Sequence, residues 1–423
     1  MIFFRGRMLA NLFAIALLFA VSAHAQHNVP LTLTEAEDRA LESEPGQAAL
    51  IARAAAFEET AIAAGQLPDP TMRVGLANYP IGSGGFSTEG MTQAQLGFRQ
   101  NFPSGKSRAF MTEQYESLAR EMTENAAARS RDALHSVRRA WLEAYYWQQA
   151  RDIVTESRPF FIDLAEVSRS LYSVGRKTLQ DVLRAELELG RLDDRLIEID
   201  RQQALAIAAL SEWIGAEARR PVATKLPAWE QVPPLEALRS QLPAHPTVLA
   251  ADAQIAARQA GVIVAEEGKK PGWALDLGYG YREGELSSGE PRSDFVSLSV
   301  TMDMPFFRKN RQDRSLSAAL SERSAAEYEK RALMQRLSSR LDAEYAQWHD
   351  FTRRLALYET SILELSGSQA NAALLAYQSE AGDFADVMRA YIDDLNTRLD
   401  HVRLQVERAQ RYAALANLGG LPR

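Results

Sequence analysis

The chain states its pattern twice, and that duplication constrains its fold more than any single motif. Asp181-Val182-Leu183-Arg184-Ala185 returns as Asp386-Val387-Met388-Arg389-Ala390. A Tyr and a Gly precede each copy, Tyr172 and Gly175 in the first and Tyr377 and Gly382 in the second. Glu143 and Trp147 match Glu344 and Trp348 with identical spacing. Asn101-Phe102-Pro103 matches Asp303-Met304-Pro305, and Gly105-Lys106-Ser107-Arg108 matches Arg308-Lys309-Asn310-Arg311. Apart from the two glycines, 207 residues apart, the offset stays between 201 and 205, so one unit has been duplicated, with copies at 26–220 and 221–423.

Within each copy the order is helix, strand, strand, very long helix, turn, helix. The first helix, 33–66, ends at Leu67-Pro68-Asp69-Pro70, a strong stop. Period-two alternation then predicts strands at 71–79, 92–102, 273–282 and 294–304. In the second copy Trp273, Leu275, Leu277, Tyr279 and Tyr281 oppose Asp276, Gly278, Gly280 and Arg282. Strands of about 9–11 residues suit a tilted passage through a bilayer. Aromatic ends on an apolar face, with Gly, Asp and Arg opposite, fit lipid on one side and water on the other. Two soluble hairpins resting on a core would share the alternation. Four strands cannot close a barrel, so the membrane reading requires several chains to pool their strands.

The long helices are expected from Ser104 to Tyr172 and from Lys309 to Tyr377, each about 100 Å by helical rise. Pro159 should kink the first or mark a seam. The shorter helices, 33–66, 177–213, 234–267 and 384–417, are about 50–55 Å each, so two end to end equal one long one. Such matching suits a cylinder of stacked helices. Unbroken steps of three and four, as in Leu189, Leu192, Leu196 and Ile199, predict coiled-coil packing.

Arg5 and Arg7, the apolar stretch Met8 to Ala20, and Ala23-His24-Ala25 predict a cleaved signal peptide over 1–25. Its removal takes the formal charge from −7 to −9, because it carries two arginines and no acid. That balance, without a polybasic cluster, argues against a nucleic-acid partner. The chain contains no cysteine, which excludes disulfides, thiol catalysis, zinc–thiolate sites and a lipid-bearing cysteine. Of the six histidines only His24 and His27 stand at i, i+3, and the expected cleavage after Ala25 parts them. Gly105-Lys106-Ser107 resembles the end of a phosphate-binding loop, but Gln100 stands where a glycine is required. This cluster and Arg308-Lys309-Asn310-Arg311 lie where strand becomes helix, and are read as a basic girdle. No catalytic residue, cofactor or metal site is expected, and the chain reads as a passive conduit rather than an enzyme.

These residues resemble the TolC-like outer-membrane efflux proteins. The resemblance rests on the duplicated plan and on the turn Tyr172-Ser173-Val174-Gly175 followed by Asp181-Val182-Leu183, echoed at Tyr377 to Gly382 and Asp386-Val387-Met388. Gln66-Leu67-Pro68-Asp69-Pro70, entering the first strand, resembles the heavy-metal (CzcC/CusC-type) branch. The likeness implies a mainly α protein with a transmembrane β-barrel contribution. A homotrimer would build a 12-stranded barrel, four strands per protomer, on a 12-helix periplasmic tunnel. It implies an outer-membrane location without a lipid anchor, with outer-membrane lipid, a periplasmic membrane-fusion adaptor and an inner-membrane RND-type pump as partners. Tyr172, Gly175, Tyr377 and Gly382 would form the adaptor-docking tip, and Asp386, Arg389, Asp181 and Arg184 the tip gate. Where some relatives carry a second carboxylate one turn after Asp386, this chain has Arg389. The leading expectation is a tripartite-pump duct for heavy-metal cations. A multidrug or type I secretion duct is the alternative; a periplasmic coiled-coil adaptor and an exported enzyme compete more weakly.

Overall fold

The computed structural model describes residues 29–42, 44–379 and 381–421, so the expected signal peptide lies outside them. The elements are α1 Leu33–Glu42, α2 Pro45–Ala64, β1 Thr71–Ala77, β2 Gln93–Phe102, α3 Ser107–Ser173 and α4 Leu179–Ile214. The second copy supplies α5 Leu235–Gln241, α6 Pro246–Glu267, β3 Trp273–Tyr281, β4 Phe295–Met302, α7 Gln312–Leu357, α8 Leu363–Gln378 and α9 Phe384–Gly419.

The strands fall within the ranges read from the alternation. Two of the helices do not survive whole. The expected 33–66 helix breaks before Pro45, which opens α2 where its missing N–H costs nothing. The expected 234–267 helix is interrupted by a 3₁₀ turn at Leu242–Ala244, which contains Pro243 and is followed by Pro246 at the start of α6. In both, the apolar pattern resumes beyond the break, which is why periodicity alone reads through it.

The long helices behave differently in the two copies. α3 continues through Pro159 to Ser173. At the offset of the repeat, the second copy inserts a π turn, Tyr358–Ile362, between α7 and α8. Each copy therefore disturbs its hydrogen-bond ladder at the corresponding place. One lacks a proline donor, and the other widens a turn.

The chain divides into two compact units, each drawing on both copies. One comprises residues up to 47, 128–245 and 335 onward; the other comprises 48–127 and 246–334. The first holds two cores. Trp141, Leu142, Leu31, Leu210 and Val406 anchor one of them. Trp141 Nε1 donates to the Leu31 carbonyl at 3.0 Å, and the Gln148 amide both donates to and accepts from the Val222 backbone. Arg138 and Glu37 form a buried ion pair beside this core. The repeated acids serve the same helix in both copies, since Glu143 accepts from Arg403 and Gln410, and Glu344 accepts from Arg411, all on α9. The other core gathers Phe161, Leu164, Ala185, Phe384, Val387, Met388 and Leu395 beside the turns that follow α3 and α8. Val182 and Ala185, with Val387 and Ala390, are the buried positions of the duplicated motif.

The second unit carries an antiparallel sheet in the order β1-β2-β3-β4. Gly105, with φ +52°, turns the chain from β2 into α3. A Cβ there would lie 1.8 Å from Glu267 Oε2. That carboxylate accepts the Lys106 N–H at 2.7 Å and pairs with Lys270. The segment resembling a phosphate loop therefore does hold an anion, and the anion is the chain's own glutamate at the start of α3.

His135 and His245, in the first unit, are both held below the ordinary histidine range. Burial is the largest cause for each, followed by Arg340 for His135 and Arg131 for His245. Native imidazoles that resist protonation make the unfolded state bind more protons as pH falls through the ordinary histidine value. Stability should therefore decrease between about pH 7 and pH 5. Thermal melts of the wild type and of His135→Gln/His245→Asn check this: the double variant should show a flatter pH dependence, whatever its absolute stability.

Candidate functional site

Two places concentrate the features that require a functional account: the sheet, and the turns after α3 and α8.

In the sheet the register sorts side chains by face. Met72 faces Phe98, Phe98 faces Leu277, and Leu277 faces Leu298; the next row is Val74, Leu96, Tyr279 and Val296. These rows lie on one side and are exposed, Val74 at 71%, Leu298 at 69% and Val296 at 75%. The opposite side carries Gly97, Gly278 and Ser297 in one row and Arg99, Asp276 and Ser299 in another. Arg99 lies 3.8 Å from Asp276, which also accepts from the Thr301 hydroxyl. One polar residue, Gln100, sits on the apolar side, and its amide donates to the Pro68 and Asn101 carbonyls. At the helix-proximal end Phe102 stacks on Trp273 with centroids 3.9 Å apart. At the other end Arg282 donates to the Gly90 and Ser293 carbonyls, and Arg292 to the Ser87 carbonyl, joining the two hairpin loops. Among the described residues, the outer edges of β1 and β4 have no strand partner. Such a sheet can seat an apolar phase on one face and water on the other, provided its edges are paired by further copies.

The turns bring together the residues expected at the tip, but give paired positions different roles. After α3, Gly175 has φ +71°, its N–H bonds to the Tyr172 carbonyl, and the Arg176 N–H bonds to that of Leu171. This is a Schellman closure with glycine at its left-handed position. Gly382 has no such conformation. A Cβ there would meet Ala376 Cβ at 3.1 Å and the Tyr377 nitrogen at 3.2 Å, so glycine is needed for room. Glycine thus serves backbone freedom at the first turn and room at the second.

The acids diverge as well. Thr178 caps α4, and Asp181 completes a capping box with it. Arg184, half-buried, makes no ion pair among the described residues. In the second copy Asp383 is the cap residue without a side-chain bond, and Asp386 pairs with Arg389 at 3.1 Å, both exposed. Tyr172 is exposed, whereas Tyr377 is buried. The Lys177 ammonium sits 4.6 Å from the Tyr377 ring, and Phe384 meets the ring edge-on. The Tyr377 hydroxyl is buried without a hydrogen-bond partner, and burial, with the Asp181 charge, pushes its pKa up. The capping box was readable in advance from Thr178-x-x-Asp181. The contacts of Lys177 with Tyr377 carry no sequence signal, because they join residues from different copies. An unpartnered apolar stripe, Leu179, Leu183 and Leu187, runs along α4 from this turn. Among the described residues, no group of three or more His, Asp or Glu side chains could hold a metal ion.

Comparison with known proteins agrees with this architecture. Residues 237–421 match the family described as "Outer membrane efflux protein", a family of efflux proteins and not of enzymes. The chain is 27% identical over 304 residues to Protein CyaE of Bordetella pertussis, an alignment covering 69% of this chain and 63% of that protein. The outer-membrane channel OprN superposes with a TM-score of 0.77 at 17% identity, covering 92% of this chain and 90% of that one. VceC of Vibrio cholerae gives 0.76 at 17% over 92% and 96%, and CusC gives 0.78 at 15% over 93% of each. The fold is therefore the TolC-like one, mainly helical with four antiparallel strands, and no branch stands apart from the others.

Gly175 and Gly382 are separable by substitution. Gly175→Val should cost about 1–2 kcal/mol through its left-handed backbone, and Gly175→Asn should recover most of it. Gly382 should reject valine and asparagine alike, because the obstacle there is Ala376. Denaturation midpoints, with limited proteolysis at the turns, check both. Asp386→Ala, which breaks an exposed pair, should move the midpoint by no more than about 0–1 kcal/mol.

Proposed function

We propose that this chain, which joins the TolC-like outer membrane efflux proteins through its fold and through residues 237–421, works as the outer-membrane duct of a tripartite export system. The observation that carries this reading is the sheet: four strands with one exposed face that is apolar but for Gln100, one polar face and two open edges. A homotrimer supplies the missing strands, closing a barrel with the apolar rows to lipid and the Arg99, Asp276 and Thr301 side to water. The helices then line a periplasmic tunnel. The turns at Gly175 and Gly382 form its tip, where an adaptor docks on exposed apolar side chains such as Leu179 and Leu183. Energy comes from an inner-membrane partner, and the duct contributes a wet path and a constriction at which Asp386 and Arg389 exchange ion pairs.

For the cargo, the type I secretion or multidrug reading is better supported than the heavy-metal one. The sequence relative described above, Protein CyaE, belongs to type I secretion. The likeness to CusC is level with that to OprN and VceC, so it does not single out metal transport. A duct need not bind what passes through it, and the polar face of the sheet favours no cation.

Growth of a deletion strain across divalent metals, copper, silver and hydrophobic drugs, together with assay of secreted polypeptides, tests the cargo. Loss of drug tolerance or of a secreted polypeptide, restored by the wild-type gene, is expected; sensitivity confined to metals would return the heavy-metal reading. Recovery of the protein in a soluble periplasmic fraction would sink the duct itself. In reconstituted bilayers Asp386→Ala should raise single-channel conductance, and an unchanged conductance would place the constriction elsewhere.

A further inference from the structure

The two copies treat their basic girdle differently. In the first copy the segment after β2 is turned inward: the Lys106 N–H is held by Glu267, and the Arg108 guanidinium donates to the Gly65 carbonyl at 3.0 Å. In the second copy the segment after β4, Met304-Pro305-Phe306-Phe307-Arg308-Lys309-Asn310-Arg311, is turned outward. Phe306 is 73% exposed and Phe307 85%. Arg308, Lys309, Arg311 and Arg314 are all exposed, and among the described residues none of the four makes an ion pair. The carboxylate within this stretch, Asp313, pairs with Lys269 at 2.8 Å, and Arg308 acts on it only at longer range. A chain with net charge −7 thus concentrates uncompensated positive charge beside an exposed aromatic pair. The turn does not itself demand four such cations, because the first copy makes its turn with Gly105 and Ser107 at the positions of Arg308 and Asn310, and with Arg108 bonded to the Gly65 carbonyl.

The order of side chains along the segment also carries information. Val300 and Met302 end the apolar rows of β4, the aromatic pair follows, and the cations come next. A bilayer presents acyl chains, the interfacial region and phosphates in that sequence. We propose that Phe306, Phe307, Arg308, Lys309, Arg311 and Arg314 form a docking surface for anionic phospholipid headgroups in the leaflet nearer the helices. The two rings lie among the glycerol esters and upper acyl chains, and the guanidinium and ammonium groups pair with phosphate. This surface would fix the depth and tilt of each protomer's sheet. The inference rests on the reading of the sheet as membrane-spanning.

Native mass spectrometry of the detergent-extracted oligomer, titrated with phosphatidylglycerol and with phosphatidylethanolamine of matched acyl chains, tests it. A basic side chain near an anionic surface contributes about fivefold. The wild type should therefore retain phosphatidylglycerol at least about tenfold better, with the preference shrinking as salt is raised. Arg308→Gln/Lys309→Gln/Arg311→Gln/Arg314→Gln should retain the two lipids equally, while Phe306→Ser/Phe307→Ser should weaken retention of both. Equal retention by the wild type, or an undiminished preference in the fourfold variant, would overturn the proposal. So would displacement of the lipid by inorganic phosphate, which would mark a phosphate site without a lipid role. If the fourfold variant fails to assemble, the wild-type salt titration decides, and a salt-independent preference counts against the headgroup pairing. Fractionation separates the two levels: wild-type protein absent from the outer membrane sinks the membrane reading, whereas outer-membrane protein without lipid preference sinks only this inference.

Discussion

The backbone groups along the outer edges of β1 and β4 are the constraint on which the rest of the molecule depends. A sheet whose apolar face seeks lipid takes those groups away from water, where each unpaired N–H and C=O carries a penalty of several kcal/mol. A soluble protein can blunt an edge with a charge or a bulge; within a bilayer only closure suffices. The described residues of one chain contribute four strands, so on the proposed membrane reading the sheet is a segment of a shared wall. The same demand reaches the helices. A closed barrel fixes how many helices continue from its rim, and their apolar faces must then meet neighbours from other protomers. Exposed side chains such as Leu183, Ile197 and Leu205 on α4 are consistent with that incompleteness.

Duplication supplies the symmetry, and local chemistry then breaks it. Both copies keep Val and Ala of the Asp-Val-x-Arg-Ala motif in a core, which accounts for most of the motif's likeness between copies. The flanking polar residues are free to differ. Asp181 turns back to cap α4, whereas Asp386 turns forward to Arg389. The difference follows from the residue three positions earlier: Thr178 offers a hydroxyl to complete a capping box, and Asp383 would set a second carboxylate against the first. Gly175 and Gly382 diverge in the same way, one selected by φ and the other by the side chain of Ala376. Six copies of a turn in a trimer would therefore present two alternating surfaces to a partner, not one repeated six times.

The strands and the long helices were legible because their evidence is local and periodic. Period two in Met72, Val74 and Leu76 survives any tertiary context that keeps one face apolar. The helix breaks at Pro45 and Pro243 were harder to read, because the apolar pattern resumes in phase on the far side. Pro159 shows the converse, a proline that the helix absorbs. The tip residues were found as positions, through the repeat, while their roles depend on contacts between copies. Lys177 over Tyr377 and Arg398 with Glu156 join residues far apart in the chain, and nothing in either local sequence announces them. Gly105 lies between these cases. Its likeness to a phosphate loop fails at Gln100, yet the helix start does hold an anion, supplied by Glu267 from the other copy.

That glutamate also shows why a conduit needs so much internal polar architecture without any reactive site. Each join between strand and helix leaves N–H and carbonyl groups that a lipid-facing wall cannot hand to water. The first join meets this with the Glu267 carboxylate on the Lys106 N–H beside the Gly105 turn, and the second with the Arg311 and Asp313 N–H groups on the Arg308 carbonyl. At the far end of the sheet Arg282 and Arg292 satisfy loop carbonyls in the same manner. Charges that would mark an active site in an enzyme are here consumed by termination. Two sets bear on the proposed function: the pair at Asp386 and Arg389, exposed but mutually satisfied, and the cations after Phe307, exposed and without an ion pair among the described residues. The first set can exchange partners with its symmetry copies, and the second requires an anion from outside the chain. On the duct proposed above, those two sets lie at the tip constriction and at the membrane interface, where each can respond to something other than its own chain.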